Sequence, residues 1–350
     1  MTGQLPRRTL GHTGIPVSSL ALGGHEYLVD GRLKGFGDDF DNAVLAGYRR
    51  SDFGGAARRA TVARALARGV SYFDVTIDPE VEALGRTLRS PAVFDVTAMT
   101  GVSGLTGASG LAGASGLAAG AESVLVQVRP QGLCYRYDYG NPGLVRPGVL
   151  GAEVRRLADL LGRDQIDVLN LGIEREALDP VTGRPDYLKA LAEILTELRA
   201  DGLVGLVACD TLFSGESQYV TLIESGCFDV VWLTFGPLTP APADVVLPRA
   251  REAGLGVVAR EAFGKGALFR FAAEAGVDAG EVAGAALRWV LSYTEVATLA
   301  VGVRTADEFD RNADAATRPY TDADRALLDR VLATDAARAA VTEATAAFRP

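Results

Sequence analysis

Cysteine is scarce, with three in 350 residues. An odd number leaves at least one thiol unpaired and rules out a disulfide framework. That usage suits a reducing compartment, and the cytoplasm is the expected location. Histidine is scarcer still, His12 and His25 being the only two. With no C-x-x-C spacing either, no metal site is expected. Long apolar runs are absent. The longest, such as Leu203–Cys209 and Leu255–Ala259, have the length of strands and fall far short of the ~20 residues that cross a bilayer. Met1–Leu10 holds two arginines and no apolar stretch, so no targeting segment is expected there. Basic residues are outnumbered, 35 against 44 acidic, for a net charge of −9. That balance argues against nucleic acid and anionic membrane as partners. A small-molecule substrate is expected instead, on a monomer or small homo-oligomer.

What the chain does have is rhythm. Short apolar runs recur at Ser18–Leu22, Val70–Asp74, Val124–Arg129, Ile166–Leu171, Leu203–Cys209, Asp229–Phe235, Leu255–Arg260 and Ala297–Val303. They have the continuous apolar character of buried parallel strands. Between them lie helical stretches, including Ala57–Arg68, Glu80–Arg89, Gly148–Leu161, Tyr187–Ala200, Gln218–Glu224, Ala243–Ala253 and Glu281–Leu291. Several stop at a glycine: Gly69, Gly162, Gly202, Gly226 and Gly254. Eight strands alternating with helices predict a (β/α)8 TIM barrel. The rival is a six-stranded doubly wound sheet, but no G-x-G-x-x-G follows the first strand. Arg7–Val17, with Gly11 and Gly14 at turn positions, predicts a β-hairpin closing the barrel's bottom.

Two long segments break the rhythm. Residues His25–Gly55 are too long for an ordinary βα loop, and loops of that length are usually functional. Ser103–Gly120 repeats a six-residue unit, SGLTGA–SGLAGA–SGLAAG. It fits a flexible surface insertion, with a lid or a marginal helix as alternatives. The domain expectation is a single barrel over 1–350, a Gly/Ala/Ser-rich insertion over 91–121, and a helical tail over 320–350.

Several stretches resemble aldo-keto reductases. They include RRTLGHTGIPVSSLALGG (Arg7–Gly24), ARALARGVSYFDVTIDPEVEALGRTLR (Ala63–Arg89), RRLADLLGRDQIDVLNLG (Arg155–Gly172), LTELRADGLVGLVAC (Leu195–Cys209), GLGVVAREAFGKGALF (Gly254–Phe269) and ALRWVLSYTEVATLAVGVRTADEFDRN (Ala286–Asn312). They occur in order over most of the chain. The resemblance implies a (β/α)8 barrel with NAD(P)H across its C-terminal mouth. Typical members reduce carbonyls with an aspartate, a tyrosine, a lysine and a histidine. The resemblance places Asp74 at the aspartate and Pro79 at the tyrosine. Gly172 falls at the histidine. The lysine position falls on Met99 or on Arg129, depending on which run is the third strand; Arg129 is favoured. The Ser-Asn-Gln positions that hold the nicotinamide amide become Cys209, Asp210 and Trp232, and the ring-stacking aromatic becomes Phe235. Phosphate-facing positions fall on Gly264, Lys265 and Gly266, then Arg304, Thr305 and Asn312. Glu308 sits where the adenosine 2′-phosphate would lie, so NAD is expected over NADP if either binds, the alternative being no nicotinamide cofactor.

Strand C-termini carry the reactive groups of such barrels. Here they collect His25, Glu26 and Tyr27, then Asp74 and Asp78, Arg129, Asn170, Cys209 with Asp210, and Arg260 with Glu261. His25, Glu26, Tyr27, Asp74 and Arg129 are the candidate catalytic set. His25 has the ordinary pKa for exchanging a proton near neutrality. Tyr27 is a candidate to replace the missing tyrosine. Glu26 either orients His25 or points into the long loop. Asp74 and Arg129 are expected to pair, and Arg129 alternatively binds a substrate carboxylate or phosphate. Tyr135, Tyr137 and Tyr139 are candidate pocket walls. Cys209 reads as an inert thiol beside Asp210. Three functions remain open: an NAD(P)H-dependent oxidoreductase on a small carbonyl or sugar-like substrate, a non-redox lyase, dehydratase or isomerase, and a catalytically silent binder.

Overall fold

The computed structural model describes residues 3–24, 27–29, 32–34, 55–90, 124–134, 138–179, 183–211 and 215–349. His25, Glu26, Tyr135, Tyr137 and the 103–120 repeat therefore lie outside the described residues, and Tyr27 is described only as part of the strand Tyr27–Val29. Eight parallel strands close into a barrel. They are β1 (Leu20–Gly23), β2 (Tyr72–Val75), β3 (Leu125–Val128), β4 (Ile166–Gly172), β5 (Val204–Asp210), β6 (Val230–Thr234), β7 (Gly256–Arg260) and β8 (Val296–Val301). Each pairs with the next in sequence, and β8 returns to β1 with Leu299 opposite Leu20. The fold is the expected (β/α)8 TIM barrel.

The strands alternate, with one irregularity where β8 shifts register against β7 at Val257 and Val258. Phe73, Val75, Val126, Val128, Leu169, Leu171, Val207, Leu233 and Leu299 face outward and are sealed by helices in one large cluster. Ala21, Tyr72, Val168, Ala208, Val230 and Val258 face inward around the barrel axis. A strand buried on both faces gains from apolar side chains on either side, which is why these runs are apolar without a period of two. The helices Ala56–Ala67, Asp78–Leu88, Val149–Leu161 and Tyr187–Ala200 cover the outside of the first four βα units.

The N-terminal hairpin pairs Arg7–Thr9 antiparallel with Pro16–Ser18 and plugs the bottom. Leu10 and Val17 are fully buried in the inner cluster. Three clasps hold the plug. Arg8 Nη1 donates to the carbonyls of Tyr293 (3.0 Å) and Val296 (2.7 Å), and its Nη2 to that of Leu291 (2.5 Å). His12 donates from its backbone N–H (2.7 Å) and its ring Nδ1–H (2.5 Å) to Gly254 O. Gly11, at φ 54°, lies so close to the start of β7 that a Cβ would overlap the backbone of Gly254, Leu255 and Gly256. His12 is thus a structural residue at the opposite end from the mouth.

The helices Asp322–Leu332 and Asp335–Phe348 follow the barrel. The first is pinned by Asp324, which accepts from Arg288 Nε (3.0 Å) and Nη2 (2.5 Å) and from the Thr321 N–H and hydroxyl (2.9 Å each). The Arg288 bonds, reinforced by Thr321 against the opposing effect of burial, hold the Asp324 carboxyl below its usual value. A depressed carboxylate adds stability that is complete above the unfolded value of about 3.9 and is lost as pH falls through the lower folded value. Asp324→Asn is therefore expected to cost about 2 kcal/mol at pH 7. Its Tm deficit should shrink as pH falls below about 4. A deficit independent of pH in thermal melts would contradict this role.

Candidate active site

In a tilted barrel an inward side chain meets the one two strands away and two residues further along, so alternate strands form layers. The register pairs Gly23 with Asp74 and Asp74 with Gln127. It pairs Asn170 with Ala208 and Ala208 with Val230, and then Trp232 with Val258. One layer near the mouth therefore takes Gly23, Arg129, Asp210 and Arg260 from β1, β3, β5 and β7. The layer beneath takes Asp74, Asn170, Trp232 and Ala300 from β2, β4, β6 and β8.

The upper layer is an ion network. Asp210, fully buried, accepts from Arg129 Nη2 at 2.7 Å through one oxygen and from Arg260 Nη2 at 3.1 Å through the other. Arg260 Nη1 also reaches Glu261 at 3.1 Å, and Lys265 stands 3.9 Å from the same carboxylate. Glu261 holds a left-handed backbone at φ 59°, a conformation that costs a non-glycine residue about 1–3 kcal/mol and gathers at functional sites.

Asp74 and Arg129, expected to pair, are given other partners. Asp74 accepts from Gln127 Nε2 at 2.7 Å, and Gln127 Oε1 accepts from the Tyr72 hydroxyl at 2.8 Å. Burial, with the charges of Asp74 and Asp167, pushes the Tyr72 phenol far above its ordinary value, so it acts as a donor and not a proton source. Arg129 reaches past β4 to Asp210. Gln127, not Arg129, is the residue of β3 in register with Asp74, and Arg129, two residues further along, meets the β5 residue of its own layer instead. Asp78 takes Arg156 in a two-pronged pair at 2.6 and 2.9 Å between helices.

The positions of the cofactor clamp also differ from expectation. Cys209 faces outward into the layer beneath the helices. Burial and then the neighbouring Asp210 charge raise its thiol strongly, so it is inert. Burial likewise pushes Cys134 up to about 12. Phe235 is fully buried outside the barrel, its ring 5.0 Å from Trp289 and 4.9 Å from Tyr293; it cannot stack on a ligand at the mouth. Trp232, by contrast, faces inward, with the Arg260 guanidinium 5.9 Å from its ring centroid. Tyr139 is exposed (73%).

The residues present do not fit a nicotinamide amide at its usual clamp. Cys209 points away, and both Asp210 oxygens are taken by arginines. The phosphate end fits only in part. Gly264, Lys265 and Gly266 all adopt left-handed conformations, and the Lys265 ammonium is exposed. However, the Gly264 and Gly266 N–H groups bond to Glu261 O and Phe263 O within the turn. Thr305 caps the helix Ala306–Ala316 by accepting from Glu308 N. Burial disfavours the Glu308 charge, but Arg304, through Nη2 (2.6 Å), Nε (3.0 Å) and its backbone N–H (2.9 Å), together with the charge of Arg311, holds that carboxylate below its usual value. Glu308 is therefore charge-compensated, which weakens the ground for preferring NAD. Asn312 is half-buried on the same helix.

Sequence reasoning missed Glu80. It is buried, accepts from the Thr76 N–H (3.1 Å) and Ile77 N–H (3.4 Å), and lies against Gly24 after β1. Its place as third residue of the helix Asp78–Leu88 is the signal that would have found it. Asn170, expected to face inward, does so and is fully buried.

A hairpin-plugged (β/α)8 barrel with charges gathered where its strands end places the candidate site where such barrels carry their active sites. No protein-family model and no curated protein matches the sequence. Among solved structures, the chain is similar to an aldo-keto reductase from Bacillus halodurans in its holo form, at 15% identity over 94% of this chain and 96% of that one, with a TM-score of 0.60. The apo form of that enzyme gives a TM-score of 0.58. A Pseudomonas aeruginosa protein assigned to the same group gives 16% identity over 90% and 97% of the two chains, with a TM-score of 0.57. The chain has the aldo-keto reductase fold.

Proposed function

We propose that this chain is an oxidoreductase of the aldo-keto reductase type, acting on a small carbonyl or sugar-like substrate with a non-standard catalytic set. The observation that carries the reading is the barrel itself, similar along nearly its whole length to aldo-keto reductases, with Arg129, Asp210, Arg260 and Asp74 collected at its mouth. In this reading Arg129 and Arg260 stabilise negative charge developing on the substrate oxygen, and His25 or Tyr27 supplies the proton. Nicotinamide supplies reducing equivalents in such enzymes, and here NADH is expected to bind at least as well as NADPH.

Simple aldehydes are expected to be reduced slowly. The tyrosine and histidine positions are Pro79 and Gly172, and a positioned acid contributes about 10²–10⁴-fold. NADPH oxidation with simple aldehydes, at rates ordinary for aldo-keto reductases, would refute the non-standard set. Calorimetric titration with NADH and NADPH tests the redox reading. Failure of both to bind at millimolar concentration would leave a second reading. That is a non-redox lyase, dehydratase or isomerase on the same barrel, favoured by Asp210 being locked between two arginines where the amide clamp would stand.

A further inference from the structure

Beneath the Arg129–Asp210–Arg260 layer lie two side chains whose polar atoms meet no hydrogen-bond partner among the described residues. The Asn170 amide is fully buried, and neither its Nδ2 nor its Oδ1 is satisfied. The Trp232 indole is 3% exposed, and its Nε1–H is likewise unsatisfied. Native interiors rarely tolerate such groups without a role or a partner. Packing does not require them here, since leucine would fill the Asn170 position without a polar atom.

Their placement is informative. Both project inward from the same layer, on β4 and β6, two strand spacings and two residue rises apart, or about 12 Å along the barrel wall. Long inward side chains at that separation can reach one common atom. The layer above has Gly23 as its fourth member, and β4 ends at Gly172 just beyond Asn170. Neither glycine adds a side chain there, so the Arg129–Asp210 pair, which crosses above β4, is what separates the amide from the mouth. Above the indole, Arg260 covers the ring face and leaves the ring's N–H edge to other partners.

We infer that Asn170 and Trp232 bind the substrate's oxygens. The Asn170 Nδ2–H and Trp232 Nε1–H donate to a carbonyl oxygen, and Asn170 Oδ1 accepts from an adjacent hydroxyl. Two donors beside one acceptor select a small uncharged α-hydroxycarbonyl compound over a simple aldehyde, which offers no hydroxyl. The inference rests on the small carbonyl or sugar-like substrate proposed above and names the groups that recognise it.

Trp289, the second of two tryptophans, packs outside the barrel on Phe235 and Tyr293. In a Trp289→Phe protein the one indole N–H resonance belongs to Trp232. Titration with hydroxyacetone, without nicotinamide, is expected to move that resonance saturably. Adding Asn170→Leu should weaken the apparent affinity about tenfold, the loss of one good hydrogen bond, while Tm stays level or rises. Should Asn170→Leu fail to fold, Trp232→Phe followed by calorimetry is expected to show the same loss. An unmoved indole resonance up to about 100 mM hydroxyacetone, a concentration that still detects very weak binding, would overturn the inference. So would equal affinity with and without Asn170. Failure of NADH and NADPH to bind counts against the redox reading alone, because this titration omits them.

Discussion

Asp210→Ala is expected to lower stability by about 3–5 kcal/mol, because removing a fully buried carboxylate that accepts from two arginines leaves buried positive charge uncompensated. For 350 residues that is a fall of roughly 4–7 °C in Tm. The carboxylate is fully buried between Arg129 and Arg260, so solvent cannot take over its role. The same reasoning predicts an asymmetry. A triple replacement of Arg129, Asp210 and Arg260 by apolar residues of matching volume should cost less than Asp210→Ala alone, since well-packed apolar groups carry no desolvation penalty. Thermal melts of the two proteins decide it. A Tm for Asp210→Ala within about 1 °C of the parent, less than 1 kcal/mol at this chain length, would show that the network contributes nothing net.

Gly11→Ala should be comparably damaging, for a different reason. The left-handed backbone at φ 54° costs an L-residue about 1–2 kcal/mol, and the new methyl collides with the backbone where β7 begins. Overpacking of that kind adds about 1–3 kcal/mol. Gly14 provides the control. It is also left-handed, at φ 73°, but a Cβ there meets nothing within 4 Å. Gly14→Ala should show only the backbone cost, so the difference between the two variants measures how tightly the plug is seated. Equal denaturant midpoints for the two would mean that the hairpin lifts off the barrel without penalty.

The strands were legible because burial on both faces demands continuous apolar runs, and each expected run overlaps its observed strand. The hairpin was legible from Gly11 and Gly14. The site was only partly so. Asn170 was placed correctly by counting alternation along β4. The same counting would have turned Cys209 and Phe235 outward, since each lies an odd number of steps from an inward neighbour, Asp210 or Trp232. Similarity to aldo-keto reductases by position overrode that count. The Arg129–Asp210 bond was not legible at all. It joins residues 81 apart in sequence, and its existence depends on strand tilt and shear, which no local pattern records.

The clasp between the two ends of the barrel also governs the order of events during synthesis. Leu20 pairs across the sheet with Leu299, and Arg8 hooks the carbonyl of Val296, 288 positions later. At about 5–20 residues per second a ribosome needs roughly 15–60 s to make that stretch. Through that interval the free edge of β1 offers unpaired backbone groups to any neighbouring strand. The nascent chain is therefore an open, curling sheet with one sticky margin, and its most vulnerable period ends only when the last barrel strand emerges.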